Sequence, residues 1–425
     1  MVIHNLLVHD SFEDGKRPLK LVIYRPHSNI WFRNTVGRLL KRKPMPNKYA
    51  QLLDYLLGSG VSLHFAIHLS EKITVVELLR RLRDGFELVL WCLLNRISLR
   101  KTGLVFTHSA LARNDVLFLM HYGNLTYETE KLAESGLELA QYLASVDIPK
   151  VVHLTHYAYC AESGARNLVA LKPALLVAEN NLAANSLFFS KYFSELPGDF
   201  YTLPYTPAQR FQDRVPFHQR VNKMVVTGSI TYKMKSVEFI DFFKVNELQP
   251  LRRKLYEQAG GYLDQMECLV SDLDASRASP NPQSGLRFSK LADRLRPKST
   301  QNEYYKKDIV EIYNTYAMFA VPEEVCDLPA IGFVEGMACG SAYLGVPGPM
   351  YEDIGMKAGV HYIPYDGTVE DLMSRVRYYQ QYPLEVARIA EAGSRFVREQ
   401  LSAEVIYGKF IARLQLVALS HRQEC

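Results

Sequence analysis

The stretch from Tyr316 to Gly345, YAMFAVPEEVCDLPAIGFVEGMACGSAYLG, constrains this chain more than any other. Ala317-Met318-Phe319-Ala320-Val321 is a short apolar run closed by Pro322, which predicts a fully buried strand of a parallel sheet. Pro329 suits the first position of a helix and Gly340 the residue just beyond the end of one, so a helix is expected over about Pro329 to Cys339. Ala342 to Val346 reads as the next strand. Strand, crossover helix and strand in that order belong to an α/β architecture.

The same residues carry chemistry. The first amides of a helix have no internal partners and carry partial positive charge, so such an end attracts phosphate. Gly332 would let a ligand approach the backbone closely, with the amide of Phe333 beside it. At about 1.5 Å of rise per residue, Glu335 lies roughly 9 Å along the axis from Pro329, about the reach from a pyrophosphate to its ribose. A carboxylate there can accept both ribose hydroxyls, while Asp327 would face whatever the second phosphate carries.

Asp327, seven intervening residues, and Glu335 followed by Gly-Met-Ala-Cys-Gly resemble the E-x7-E motif of glycosyltransferases with the two-Rossmann GT-B fold, particularly the retaining "group 1" (family 4-like) class. In that class the second acid binds the ribose of the nucleotide sugar and the first lies by the donor sugar. Here the first acid is Asp, one methylene shorter.

Size and charge set outer bounds. The 425 residues, 48% of them hydrophobic, allow two domains with proper cores, and a net charge of +5 implies no strong polyanion-binding field. Basic residues do cluster at Arg33, Arg38, Lys41, Arg42 and Lys43 beside Trp31, Phe32, Leu39 and Leu40, a pattern that fits either a solvated helix face or peripheral contact with an anionic membrane through 31–43. Six cysteines without a C-x-x-C pair read as reduced thiols. The N-terminus lacks the apolar core of a signal peptide, and no run approaches a membrane span, so a cytoplasmic, soluble or peripherally bound protein is expected.

Taken in order, the chain alternates buried runs with helical periodicity. Leu19 to Tyr24 is a strand ending in Arg25-Pro26-His27-Ser28-Asn29, and ligands bind beyond the carboxyl ends of such strands, so His27 and Asn29 are candidate acceptor or sugar contacts. Strands are expected again at Val61 to Ile67, Asp115 to Met120, Lys150 to Thr155, Leu175 to Ala178 and Phe200 to Tyr205, with helices at Tyr49 to Leu57 and Tyr127 to Ser145 and one or two helices over 75–95. Two strands deliver a histidine at their carboxyl ends, His121 and His156. "VVHLTH" is similar to the strand whose terminal histidine approaches the donor sugar in the retaining GT-B enzymes, so His156 is preferred, His121 is second, and His153 points into the sheet. Leu175-Leu-Val-Ala-Glu179 resembles the strand that closes the N-terminal domain there. Thr206 to Val221, with Pro207 and Pro216, has a linker's composition.

The second half opens with Lys223-Met-Val-Val-Thr-Gly228-Ser229, a strand breaking into a Gly-Ser turn that can offer amides to phosphate, with a downstream lysine to add charge. Lys233 and Lys235 both fit, and Lys235 is preferred. No second glycine makes this a Walker loop. Leu248 to Ala259 is a basic helix, Ser276 to Thr300 a long surface loop, and Tyr304 to Thr315 a helix. "GVHYIPYDGTVEDL" and the helices after it closely resemble the tail of the group 1 enzymes, and Leu401 to Val417 reads as a last helix.

The resemblance implies an α/β protein of GT-B fold, two Rossmann-like domains facing each other across a cleft. Residues 1–215 would hold the acceptor, 216–400 the nucleotide sugar, and 401–425 a helix crossing back. It implies transfer of a sugar from a nucleoside diphosphate sugar to a glycan or lipid-linked acceptor, with retention, in polysaccharide or glycoconjugate synthesis. Catalytic roles then fall to His156 and Asp327, and donor binding to Gly228, Ser229, Lys235, Gly332, Phe333 and Glu335, with no metal, no further cofactor and no nucleic acid. An epimerase or phosphorylase of the same fold, or a non-catalytic GT-B-like subunit, are the alternatives.

Overall fold

The computed structural model describes residues 18–24, 50–67, 69, 71, 73–120, 122–125, 130–230, 234–272 and 308–424. The apolar runs of the first half become β1 (Lys20–Tyr24), β2 (Ser62–Ala66), β3 (Thr102–Val105), β4 (Val116–Leu119), β5 (Lys150–His153), β6 (Leu175–Ala178) and β7 (Asp199–Thr202). They form one parallel sheet in the order β3-β2-β1-β4-β5-β6-β7. The second half supplies β8 (Val221–Val226), β9 (Ser229–Ile230), β10 (Met266–Cys268), β11 (Ser271–Asp272), β12 (Tyr316–Ala320), β13 (Ala342–Gly345) and β14 (Ile363–Pro364). Five of these make a second parallel sheet, β10-β8-β12-β13-β14, and β9 pairs with β11.

Every residue of β4, β5, β6 and β13 is buried, which is why they appear in the sequence as unbroken apolar runs rather than as alternation. β5 carries two exceptions, both satisfied: the buried Lys150 ammonium donates to the Val146 carbonyl at 2.6 Å, and buried His153 is hydrogen-bonded to Thr155. In each sheet the strand order reverses direction once, between β1 and β4 and between β8 and β12. Such switch points open crevices at the carboxyl ends of the strands.

Of the one or two helices expected over 75–95 the chain forms a single one, Val75–Leu94, capped by Thr74 accepting from the Glu77 amide. The 203–216 segment carries no regular element, yet Leu203, Tyr205 and Phe211 are buried in a core that also contains residues of both sheets. Helix Ala403–Glu424 lies against the first sheet and helix Ala50–Gly58. Phe410 meets Phe118 at 5.6 Å, Tyr407 meets Tyr55 at 5.9 Å, and Arg422 bridges Asp115 at 2.7 Å.

One helix differs from its expected bounds. The helix expected from Pro329 begins at Gly332 and ends at Ala338. Glu324 and Leu328 pair back on each other as an antiparallel bridge, the turn between them puts Asp327 in the left-handed region at φ 63°, and this turn uses up the residues that would have started the helix. Its C-terminal end is well held. Gly340 adopts φ 76°, and Arg220 donates to the Cys339 carbonyl at 2.7 Å, a cation where the helix dipole is negative.

Candidate active site

The carboxyl ends of β8, β12 and β13 converge, and the groups there are the candidate site. Gly228 follows β8 with φ 128°, a conformation that favours glycine. A side chain at Gly228 would collide with Arg252, whose Cζ stands 2.6 Å from where its Cβ would be. Arg252, on helix Pro250–Glu257, is buried, and it donates to Ser229 O at 3.1 Å, Gln249 Oε1 at 2.6 Å and Pro322 O at 3.2 Å. A guanidinium therefore spans the ends of β8 and β12 directly over the glycine turn. From sequence this arginine was one of several on a basic helix. Only its burial distinguishes it.

Lys235 is exposed just before helix Val237–Phe243. Lys233, His27, Asn29, His121, the 31–43 segment and the 276–300 loop lie outside the described residues.

At Gly332 a Cβ would lie 2.8 Å from the Tyr313 hydroxyl and 3.0 Å from Val321, so the missing side chain makes room for packing between helix and strand. Phe333 is likewise buried, with its ring against Tyr343 and Tyr351. A seven-residue helix also has a weak dipole. The buried Arg252 is thus the stronger source of positive potential at these strand ends.

Glu335 is half-buried on the same helix, and burial pushes its carboxyl up to about 7 despite the opposing charge of Arg210 from the 203–216 segment. Its carboxyl is therefore poised between forms near neutral pH.

The loop after β12 meets the first domain. His156, at the end of β5, has left-handed backbone (φ 55°) and places Nδ1 3.7 Å from Glu324 Oε1. Asp327 has its carboxylate hydrogen-bonded by Ser186, and its carbonyl accepts from Asn180 Nδ2 at 3.0 Å. Burial raises the Asp327 carboxyl and Ser186 pulls it back. Tyr157 adds a hydrogen bond to Cys326 O at 2.9 Å. The structure thus brings His156 and Asp327 to one seam, Gly228 and Ser229 to Arg252, and Glu335 to the linker side. Beside this seam Phe188 packs on Phe242 at 5.2 Å and Phe243 at 5.1 Å, joining the two halves. His153 points inward, bonded to Thr155 at 2.7 Å and 3.7 Å from buried Glu179.

Glu323 escaped the sequence reading. It follows β12 and accepts from Tyr343 at 2.8 Å, Tyr351 at 2.7 Å and the Val346 amide at 3.2 Å, so it ties β12 to the end of β13. Burial raises its carboxyl and these three donors hold it down. The signal available was a Glu-Glu pair immediately after a buried strand.

Among the described residues no group of His, Cys, Asp or Glu side chains is arranged to hold a metal ion, and no helix is long and apolar enough to cross a membrane.

Comparison with known proteins bears on this arrangement. The family described as Glycosyl transferase family 90 matches residues 335–418, a segment that begins at Glu335. No curated protein matches the chain. Among solved structures, Anabaena HepE in complex with UDP-glucose superposes with a TM-score of 0.52 at 12% identity, covering 93% of this chain and 99% of that one. Sucrose-phosphate synthase from Thermosynechococcus elongatus superposes with a TM-score of 0.51 at 11% identity, covering 95% of this chain and 100% of the other. The fold is GT-B, and the family segment within it supports a glycosyltransferase.

Proposed function

We propose that the protein moves a sugar from a nucleoside diphosphate sugar, with uridine as the base, to a glycan or lipid-linked acceptor bound mainly by the first domain. The observation that carries this reading is the placement of Gly228, Ser229 and buried Arg252 at the β8/β12 switch point, with Glu335 on the next helix. The leaving diphosphate would lie against the Gly228–Ser229 turn and Arg252, with Lys235 a second cation from the adjoining loop. Glu335 would accept the ribose hydroxyls and so position the donor. The neighbour's complex with UDP-glucose supports a uridine donor.

In the reaction the bond from the sugar's anomeric carbon to the diphosphate breaks and the acceptor hydroxyl oxygen bonds to that carbon. With retention of configuration, the acceptor's proton passes to the departing diphosphate. His156 and Asp327, at the seam between domains, would contact the donor sugar while positive charge builds on it. Positive potential from protein groups suffices for the departing diphosphate in this reading. A peripheral membrane contact through 31–43 is part of the same proposal.

A melting-temperature screen against UDP, GDP and ADP sugars tests the core of it, because a ligand that binds only the folded state stabilises according to its affinity and concentration. UDP sugars are expected to raise the midpoint most; no response to any nucleotide would overturn the assignment. His156→Ala is expected to lower turnover roughly a hundredfold with donor binding retained, the size of a positioned proton or sugar contact. Wild-type turnover would remove His156 from the site.

A further inference from the structure

Helix Val75–Leu94 presents its apolar side to solvent and its acids to the protein. Val75, Leu78, Leu79, Leu82, Phe86 and Leu93 recur at three- and four-residue spacing and fall in one stripe, roughly 30 Å long for a helix of this length. All six are exposed, Leu82 and Phe86 at 62% each. The opposite face buries Leu88, Trp91 and Cys92 at the β2–β3 edge of the first sheet, where Trp91 meets Phe65 edge-on at 6.4 Å. That inner face also takes Glu77 and Asp84, which pair with Arg81 at 3.3 Å and Arg83 at 2.8 Å.

Among the described residues the exposed charges between Ile73 and Lys101 are cations. They are Arg80, Arg83, Arg96, Arg100 and Lys101, of which Arg80 and Arg83 also pair inward with Glu77 at 3.9 Å and Asp84 at 2.8 Å, while Glu77 and Asp84 are buried and Glu87 is half-buried. Glu71, just before the helix, is exposed but accepts from the His108 amide and the Tyr142 hydroxyl. Leu94 and Leu99, also exposed, continue the apolar surface among these cations.

We propose that this face docks on an anionic lipid bilayer, with the leucines and Phe86 at the acyl boundary and the arginines at the headgroup phosphates. An apolar stripe of this length is rare on a monomer's surface. Exposed apolar side chains fringed mainly by cations match the interfacial layer of a membrane that carries negative lipid. A second copy fits worse, since a two-fold contact through the stripe would set the same cations against each other. The inference stands on a surface at the sheet edge and does not depend on the catalytic reading.

Flotation of the full-length protein with phosphatidylcholine vesicles, with and without about 30 mol% phosphatidylglycerol, tests it at about 0.15 M salt. Binding to the anionic vesicles is expected, and Leu82→Glu with Phe86→Glu should lower it at least tenfold. The triple reversal Arg96→Glu, Arg100→Glu, Lys101→Glu should do the same, since each cation near such a surface is worth on the order of a fivefold gain. Far-UV circular dichroism and the nucleotide-induced melting shift should stay as in the wild type; should the Glu pair unfold the protein, the triple reversal and Leu79→Gln with Leu82→Gln carry the test. The proposal is overturned if the wild type does not float with anionic vesicles, or if these variants float as well as it does. It is equally overturned if only Arg38→Glu, Lys41→Glu, Arg42→Glu abolishes binding, or if the wild type is a dimer that Leu82→Glu with Phe86→Glu dissolves without any vesicle binding. A failed nucleotide screen would leave the flotation result standing.

Discussion

Glu335→Gln is expected to weaken binding of the nucleotide sugar by tenfold or more and, without ligand, to make the protein more stable at pH 8 than the wild type. Both effects come from one carboxyl that burial pushes up to about 7. An acid raised in the folded state favours folding most when protonated, so that contribution is complete below its ordinary value of 4.5 and is lost as pH rises through about 7. At pH 8 the ionised Glu335 opposes folding by on the order of 3 kcal/mol, and glutamine, neutral at every pH, removes the opposition. Ribose hydroxyls donate to the ionised form. Donor affinity of the wild type should therefore rise as pH climbs from 6 to about 7.5 and then level, with a proton released on binding. Calorimetric titration across this range, with melting curves at pH 5 and pH 8, measures all of it. Equal affinity and an unchanged pH profile in the variant would take Glu335 out of the site.

Arg252→Met is expected to reduce UDP affinity by roughly a hundredfold, the scale of losing a charge-assisted contact to phosphate in a sheltered site. It should also destabilise the free protein by about 2–4 kcal/mol, because Ser229 O, Gln249 Oε1 and Pro322 O lose a shared donor in the interior. Methionine keeps most of the packing volume. Arg252→Lys keeps the charge without the planar fork and should recover affinity only in part. Chemical denaturation without nucleotide separates the stability loss from the affinity loss. If UDP binds the folded variant within twofold of the wild type, Arg252 is a structural bridge between β8 and β12 and nothing more.

The parallel strands were readable because both faces of each are covered, so burial leaves the same mark on every residue. Met318, Phe319 and Ala320 carry it, and β12 falls within a residue of the expected run. The helix after it was misplaced by three residues for a local reason. Asp327 in left-handed backbone and the Glu324–Leu328 bridge make a tight turn, and Pro329, which also suits loops, could not say on which side of that turn the helix begins. Gly332 carries a comparable ambiguity: a glycine that opens backbone to a ligand and one that makes room for Tyr313 look identical in a sequence.

Periodicity and turn chemistry were enough to show buried strands alternating with helices and to mark Glu335 and the Gly228–Ser229 turn as candidate ligand contacts, since short-range patterns record burial and backbone freedom, whereas the two-domain fold was implied by the resemblance. Which cation stands over that turn, which acids tie the strand ends together, and which side of helix Val75–Leu94 faces water were settled by contacts between residues far apart in the chain. Arg252 reaches Pro322 across seventy positions and Tyr157 reaches Cys326 across 169. Interactions of that range depend on the geometry of packed elements, and linear order carries almost none of it.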